Sequence, residues 1–155
     1  MSLALAARFA QRELRSASIE AGLAREGAAL LGGDAEIEFT YRFATEEEAT
    51  WMAERALGGS EIVDFRSLAV AEIDGTTERG LTQVKAVDGA YPLFGEVVLD
   101  PPMPLNEAFA GAVGLPGGAM EQILAGRMGL SVGGSFRLGA REFLLTAIIE
   151  SEADS

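Results

Sequence analysis

The sequence predicts an α+β fold in which one sheet packs against a few helices. Residues 35–43 strictly alternate apolar and polar side chains, which indicates a strand with one face on a core. A helix start signal follows at Thr45, and two further strand-like runs flank Asp74-Gly75. The order strand, helix, strand, strand, helix, strand is typical of the split βαβ pattern of a ferredoxin-like sandwich. Here an N-terminal helix and short extra strands are added to it.

The composition excludes several kinds of chemistry. The 155 residues include no Cys and no His, and the net charge is −12. Without these residues, the Ser-His-Asp and Cys-His arrangements of nucleophilic catalysis cannot form. The acidic surface repels phosphate backbones, so nucleic acid is not an expected partner. The sequence also lacks the G-x-x-x-x-G-K-[ST] motif of ATP-binding loops. We therefore predict no catalytic, cofactor-binding or metal-binding residue.

Two helices are predicted before the first strand. Residues 3–15 place apolar side chains at helical spacing, with Arg8, Arg12 and Arg15 on another side. Residues 18–31 continue as a second helix, which Gly32-Gly33 ends. The apolar face of the strand that follows consists of Ala35, Ile37, Phe39, Tyr41 and Phe43.

A third helix begins at the capping box Thr45-Glu46-Glu47-Glu48 and is expected to run to Leu57. Trp51 lies opposite the apolar stripe of this helix. Because large apolar side chains are usually covered, we expect a loop or the N-terminal helix to cover the Trp51 ring. The alternative is an exposed anchor for a partner protein. The predicted buried stripe consists of Ala49, Met52, Ala53, Ala56 and Leu57.

A hairpin and an aromatic corner follow. Residues 61–73 and 80–88 are predicted to pair around Asp74-Gly75. Lys85, the only lysine, is interpreted as a solvated strand residue rather than a nucleophile, because no second catalytic group is spaced beside it. Tyr91 and Phe94 are expected to plug one end of the core, and a ligand pocket at this corner is the alternative.

The C-terminal third is predicted to end in a central hairpin. A short strand at 96–99 precedes a glycine-rich mobile loop at 104–118, with one or two helical turns at 105–110. Residues 135–138 and 142–150 should pair, and the second strand is apolar on both faces, which indicates a central position. Residues 151–155 are predicted to be a disordered acidic tail. Between the loop and the hairpin, a helix at 119–128 is expected to bury Met120, Ile123, Leu124 and Met128 and to end at Gly129.

Three segments resemble the extracytoplasmic domain of FtsX/MacB-type ABC transporter permeases, in the branch linked to lysophospholipase-associated systems. The chain departs from the family pattern at Gly134, where Asp is usual, and at Ala147, where Gly is usual. The resembling segments are REGAALLGGDAEIEF at 25–39, DGAYPLFG at 88–95 and MGLSVGGSFRLGAREFLLTAIIE at 128–150.

The resemblance implies a non-catalytic periplasmic domain that couples ATP-driven motion of membrane helices to substrate or partner engagement in export. It implies a parent protein in the bacterial inner membrane, a cytoplasmic ATPase subunit acting through that parent, and a second permease copy. A periplasmic protein or a lipid-like substrate is a further implied partner. The candidate contact residues on the domain are Trp51, Tyr91 and Phe94.

The same resemblance assigns residues 1–16 to an interfacial helix before the first membrane span. Arg8, Arg12 and Arg15 would then follow the positive-inside rule. No apolar run reaches the roughly 20 residues that cross a bilayer. We therefore expect that a membrane span has been excised and its flanks joined near Ser16–Ser18, so that residues 17–150 form the domain.

Two other functions stay open at the level of sequence. One is a stand-alone module that binds a small ligand or lipid, with the Tyr91–Phe94 corner and the glycine-rich loop as its mouth. The other is a hydrolase that uses carboxylates alone, as glycosidases do. No pair among the 24 acidic residues stands out from a solvated acidic surface.

Overall fold

A computed structural model describes residues 2–9 and 35–152, which form two compact units. The described part of unit 1 comprises residues 2–9, 35–65 and 85–96, and unit 2 comprises residues 66–84 and 97–152. The fold is α+β, with more of the described chain in strands than in helices. Two long strands, β3 (Ala56–Ile73) and β4 (Thr76–Val87), contribute residues to both units.

Unit 1 contains a small antiparallel sheet and one helix. The sheet order is β2-β1-β3, and Leu3 of the central strand lies in register with Phe39 on one side and Val63 on the other. Phe39 and Met52 are the buried centre of its core, with Ile37, Ala44 and Val63 packed against them. Besides parts of β3 and β4, the elements of unit 1 are β1 (Ser2–Phe9), β2 (Ala35–Thr40) and α1 (Glu46–Ala53).

The N-terminal helix prediction is wrong where the structure describes it. Residues 2–9 form strand β1, and Arg8 lies in that strand in register with Gly58. Arg12 and Arg15, the predicted helix at 18–31 and residues 153–155 of the predicted tail lie outside the described residues. A strand forms at 2–9 because β1 pairs along both edges, which gives its backbone groups sheet partners that a helix would have to supply internally.

The strand predicted at 35–43 is confirmed over Ala35–Thr40 only. Tyr41 has a φ of 62° and is 81% exposed, and Phe43 is also exposed. The left-handed backbone at Tyr41 ends the alternation, so the apolar face stops at Phe39.

The predicted hairpin is confirmed, and it is longer than expected. Asp74 and Gly75 both have positive φ, at 50° and 78°, as a two-residue hairpin turn requires. Strand β3 begins at Ala56, so α1 ends at Ala53 rather than near Leu57. Of the predicted buried stripe of this helix only Met52 is buried, while Leu57 is exposed on the strand.

Unit 2 is organised around β8, which pairs along both edges. β7 and β5 run antiparallel to β8 on one edge, and β6 runs parallel to it on the other. β7 also pairs with β3 through Ala69–Leu138 and Val70–Arg137. The elements of unit 2 are β5 (Val98–Asp100), α2 (Leu105–Ala110), β6 (Gly117–Glu121), α3 (Gln122–Arg127), β7 (Ser135–Leu138) and β8 (Arg141–Ser151).

Two hydrophobic clusters fill unit 2. In the larger cluster, the Phe136 and Phe143 rings stack with centroids 5.8 Å apart. The smaller one centres on Leu99, Ala108 and Ala147. Because β7 pairs with β8 and β8 is paired along both edges, the predicted hairpin and the central position of its second strand are confirmed. The buried residues of the larger cluster are Ala69, Ala71, Met120, Ala125, Met128, Leu130, Phe136 and Leu145.

The helix predicted at 119–128 is half wrong. Strand β6 takes residues 119–121, and α3 begins only at Gln122, which leaves Ile123 75% exposed. The predicted stop at Gly129 is confirmed. Gly129 has a φ of 64°, its N–H donates to the Gly126 carbonyl at 3.2 Å, and the Leu130 N–H donates to the Ala125 carbonyl at 2.9 Å.

The segment predicted as a mobile loop at 104–118 contains tightly packed backbone. The predicted helical turns are confirmed as α2. After α2, Ala112 and Leu115 bridge across a two-residue turn in which Val113 and Gly114 both have positive φ. A Cβ atom at Gly117 would overlap the Ala108 carbonyl, so β6 and α2 approach at a distance that only glycine allows.

We predict opposite effects for two glycine-to-alanine changes in unit 2. Gly117→Ala should lower the free energy of unfolding by about 3 kcal/mol, because the new methyl group overlaps rigid backbone. Gly126→Ala, the matched control in α3, meets nothing within 4 Å and should raise stability by about 0.5–1 kcal/mol. Urea midpoints measure both changes. Equal effects at the two positions would contradict the close approach of α2 to β6.

Candidate partner-contact site

Helix α1 begins at a complete capping box. The Thr45 hydroxyl accepts a hydrogen bond from the Glu48 N–H at 3.3 Å, and the Glu48 carboxylate accepts one from the Thr45 N–H at 2.8 Å. Glu46, Glu47 and Glu48 place negative charge on the first turn, where the helix dipole favours it. The capping box predicted from the sequence is thus confirmed, and it fixes where the outer face of the helix starts.

Arg42 braces this helix start from the preceding turn. Its guanidinium donates two hydrogen bonds to the Glu48 carboxylate, at 2.7 and 2.8 Å, and its Cζ lies 4.4 Å from the centroid of the Phe39 ring. The hydrogen bond from Arg42, with the Thr45 N–H second, lowers the pKa of Glu48 to about 2. Sequence reasoning missed Arg42, because its pairing depends on the left-handed turn at Tyr41.

Trp51 is exposed on the outer face of α1, contrary to the expectation that its ring would be covered. Its side chain is 48% exposed. The Arg55 guanidinium lies over the ring, 4.4 Å from its centroid, and donates to the Trp51 carbonyl at 2.9 Å. The spacing of four residues between Trp51 and Arg55 was a usable sequence signal for this pair. A shallow groove beside the ring is lined by Glu46, Glu47, Thr50, Trp51 and Glu54.

The corner at 88–95 is held by the carboxylate of Asp88. It accepts hydrogen bonds from the Ser60 hydroxyl at 2.8 Å, the Glu61 N–H at 2.8 Å and the Ala90 N–H at 3.0 Å. Burial acts to raise the pKa of Asp88, but these hydrogen bonds outweigh it and the pKa is lowered. Ser60 is buried in β3, and the sequence carried no signal for its role. The Asp88 carboxylate therefore connects β3 to the corner through hydrogen bonds to both segments.

Tyr91 and Phe94 are half-buried at this corner, and neither belongs to the hydrophobic clusters of the described residues, so their role at the end of a core stays a prediction. The Lys85 Nζ lies 5.7 Å from the centroid of the Tyr91 ring, and Lys85 is also partly buried. The lysine thus has an aromatic neighbour instead of the fully solvated position expected for it. Of the three predicted contact residues, Trp51 exposes its ring most clearly, on α1, while Tyr91 and Phe94 belong to the corner.

The described residues give no sign of a metal site or a membrane-spanning helix. Within residues 2–9 and 35–152, no group of three or more Asp and Glu side chains is arranged to hold a metal ion. No helix in the same ranges is long and apolar enough to cross a membrane. A scan against models of known protein families, a search of curated proteins and a search of solved structures all found no match to this chain.

We predict that Asp88→Ala lowers the free energy of unfolding by about 1–3 kcal/mol. The change leaves the buried Ser60 hydroxyl and the Glu61 N–H without their acceptor. Asp88→Asn keeps one acceptor oxygen and should cost less. Urea unfolding of these variants, of Ser60→Ala and of the Asp88→Ala/Ser60→Ala double variant measures the coupling. Strictly additive losses would show that the serine–aspartate bond does not form.

We also predict a pH-dependent contribution from Glu48. Because its pKa is lowered from 4.5 to about 2, its pairing stabilises the folded state above pH 4.5. That contribution is lost as pH falls through about 2. Glu48→Gln keeps the capping geometry without the charge. The melting-temperature gap between wild type and this variant should therefore be largest near neutral pH and close in acid. Glu46→Gln, on the same turn without Arg42, is the control, and an equal gap there would contradict the pairing.

Proposed function

We propose that this chain is the extracytoplasmic domain of an ABC transporter permease of the FtsX/MacB type. In this proposal the domain performs no chemistry. It couples ATP-driven motion of membrane helices in the parent protein, in the bacterial inner membrane, to the engagement of a substrate or partner in the periplasm. A cytoplasmic ATPase subunit supplies the energy through the parent, which works with a second permease copy. The ferredoxin-like arrangement is part of the same proposal.

The observation that carries the proposal is the structural use of the corner at 88–95. This segment resembles the permease family, and its acid, Asp88, has its carboxylate engaged by three hydrogen-bond donors. A general acid or nucleophile needs a carboxylate that is free to meet substrate. Asp88 instead ties a turn to a strand, which favours a mechanical role over the carboxylate-only hydrolase.

The segment at 128–150, which also resembles the family, supports the same interpretation. Gly134, where the family has Asp, lies in a turn that backbone bonds close: its N–H donates to the Ser131 carbonyl at 2.9 Å, and its carbonyl accepts from the Leu145 N–H at 2.8 Å. Ala147, where the family has Gly, is fully buried in β8. Neither departure from the family pattern removes an interaction on which this hairpin depends.

The parent reading frame tests the proposal first. We expect apolar spans of roughly 20 residues outside the domain and a neighbouring ATPase gene. A span between Arg15 and Ile19 is not expected, because strand β1 lies in the same sheet as β2 and β3 and so on the same side of the membrane. In the reconstituted parent with its ATPase, a spin label at Glu107→Cys should report an ATP-dependent change in the distance between the two copies. The 155 residues include no Cys, so the label is unique within the domain, and any Cys elsewhere in the parent is replaced by Ser before labelling.

Two outcomes would contradict the proposal. A parent reading frame without any apolar span of roughly 20 residues would remove the permease assignment. Turnover of esters, glycosides or ATP by the purified domain would remove the non-catalytic role. An ATPase variant unable to hydrolyse ATP is the control for the distance measurement. A thermal-shift screen with lipids and hydrophobic peptides detects the small-ligand module, the remaining alternative.

A further inference from the structure

The exposed ring of Trp51 already holds a guanidinium group. The Arg55 Cζ lies 4.4 Å from the ring centroid, and the hydrogen bond from Arg55 to the Trp51 carbonyl keeps it there. Tryptophan is the side chain whose ring face attracts cations most strongly. The ring face of Trp51 is thus in contact with a guanidinium group of the chain itself.

The surface around the ring carries more negative charge than Arg55 neutralises. Glu47 lies four residues before Trp51 and Glu54 three residues after it, so both share its face of α1. Glu54 reaches Arg55 at 3.4 Å, whereas Glu46 and Glu47 form no ion pair within the described part of the chain. The groove beside the ring therefore keeps at least two uncompensated carboxylates next to an aromatic face.

We infer that the Trp51 groove is a docking site for an arginine side chain on an extended segment of a partner protein. Arg55 occupies the ring face until the partner displaces it. The inference does not depend on the permease assignment, since it is drawn from the surface of α1 alone. Trp and Arg are also the residues that most often dominate the energy of protein interfaces.

Charge and shape select this occupant over others. A guanidinium stacks flat on an indole and forks toward carboxylates, whereas a lysine ammonium is a compact and strongly hydrated charge. Phosphate groups of nucleic acids or anionic lipids would meet carboxylates in a protein of net charge −12. A purely apolar ligand would bury the carboxylates of Glu46 and Glu47 without partners.

Intrinsic fluorescence tests the inference directly, because Trp51 is the only tryptophan in the chain. The probes are acetylated tetra-arginine, tetra-lysine and tetra-glycine amides, titrated into the full chain at low salt. We expect a saturable change in emission with tetra-arginine, at least about threefold weaker binding of tetra-lysine, and no response to tetra-glycine. Added salt should weaken the binding.

Matched variants separate the groove from the overall charge of the protein. Glu47→Gln should weaken tetra-arginine binding about threefold, and Glu107→Gln, which makes the same change in net charge on α2, should leave it unchanged. Arg55→Gln should tighten binding several-fold because it vacates the ring, whereas Arg127→Gln on α3 should not. Thermal unfolding confirms that each variant is folded.

Three results would overturn the inference. The first is a response to tetra-arginine that Glu107→Gln weakens as much as Glu47→Gln. The second is equal binding of tetra-lysine and tetra-arginine. The third is the absence of a saturable change both in the wild type and in Arg55→Gln. All three can occur while the domain remains a permease domain, so failure here is distinguishable from failure of the proposed function.

Discussion

Strand β8 is hydrogen-bonded along both edges, and the rest of unit 2 follows from that constraint. Leu144 is paired with Ser135 on one edge and with Gly117 on the other, and Ile149 lies between Leu99 and Glu121. Because both edges are paired, the neighbouring strands take their places from the register of β8, and its residues Leu145 and Ala147 are fully buried. The parallel neighbour β6 then brings Gly117 against the Ala108 carbonyl and begins α3 where the pairing ends.

In unit 1, hydrogen bonds and an ion pair fix the start of helix α1, because only one face of this helix packs on the small core. Met52 is the buried residue of α1, and the first turn is set by Thr45, Glu48 and Arg42. The opposite face of the helix can therefore display Trp51 in a defined position without contributing it to the core. A fixed aromatic residue loses little conformational freedom when a partner binds, which favours its use as an anchor.

The sequence was sufficient for features encoded by neighbouring residues. The capping box at Thr45, the Asp74-Gly75 turn and the stop at Gly129 each depend on a few adjacent side chains, and each is confirmed. Residues 2–9 show where local patterns fail. Leu3, Leu5, Ala7 and Phe9 fit a period of two, but alanine-rich sequence also fits a helix, and only pairing with the distant β2 and β3 decides between them. The helix prediction failed at residues 119–121 for the same reason, since these residues pair with the distant strand β8. In the candidate site, the position of Trp51 on the helix face away from Met52 was predictable from the sequence. The exposure of its ring and the hydrogen bond between Ser60 and Asp88 depend on packing, which the sequence pattern does not show.

The contact between Arg55 and Trp51 has a strength suited to exchange. A cation over an exposed ring contributes about 0.5–1 kcal/mol, and an exposed ion pair such as Arg55–Glu54 contributes little more. Such a contact shields an indole from unspecific apolar association in the isolated domain. The contact is also weak enough for the proposed partner arginine to replace it. That arginine would gain the carboxylates of Glu46 and Glu47, with which Arg55 forms no ion pair in the described structure. A buried tryptophan would be closed to any partner, whereas the half-exposed ring of Trp51 stays within reach of the arginine proposed to bind there.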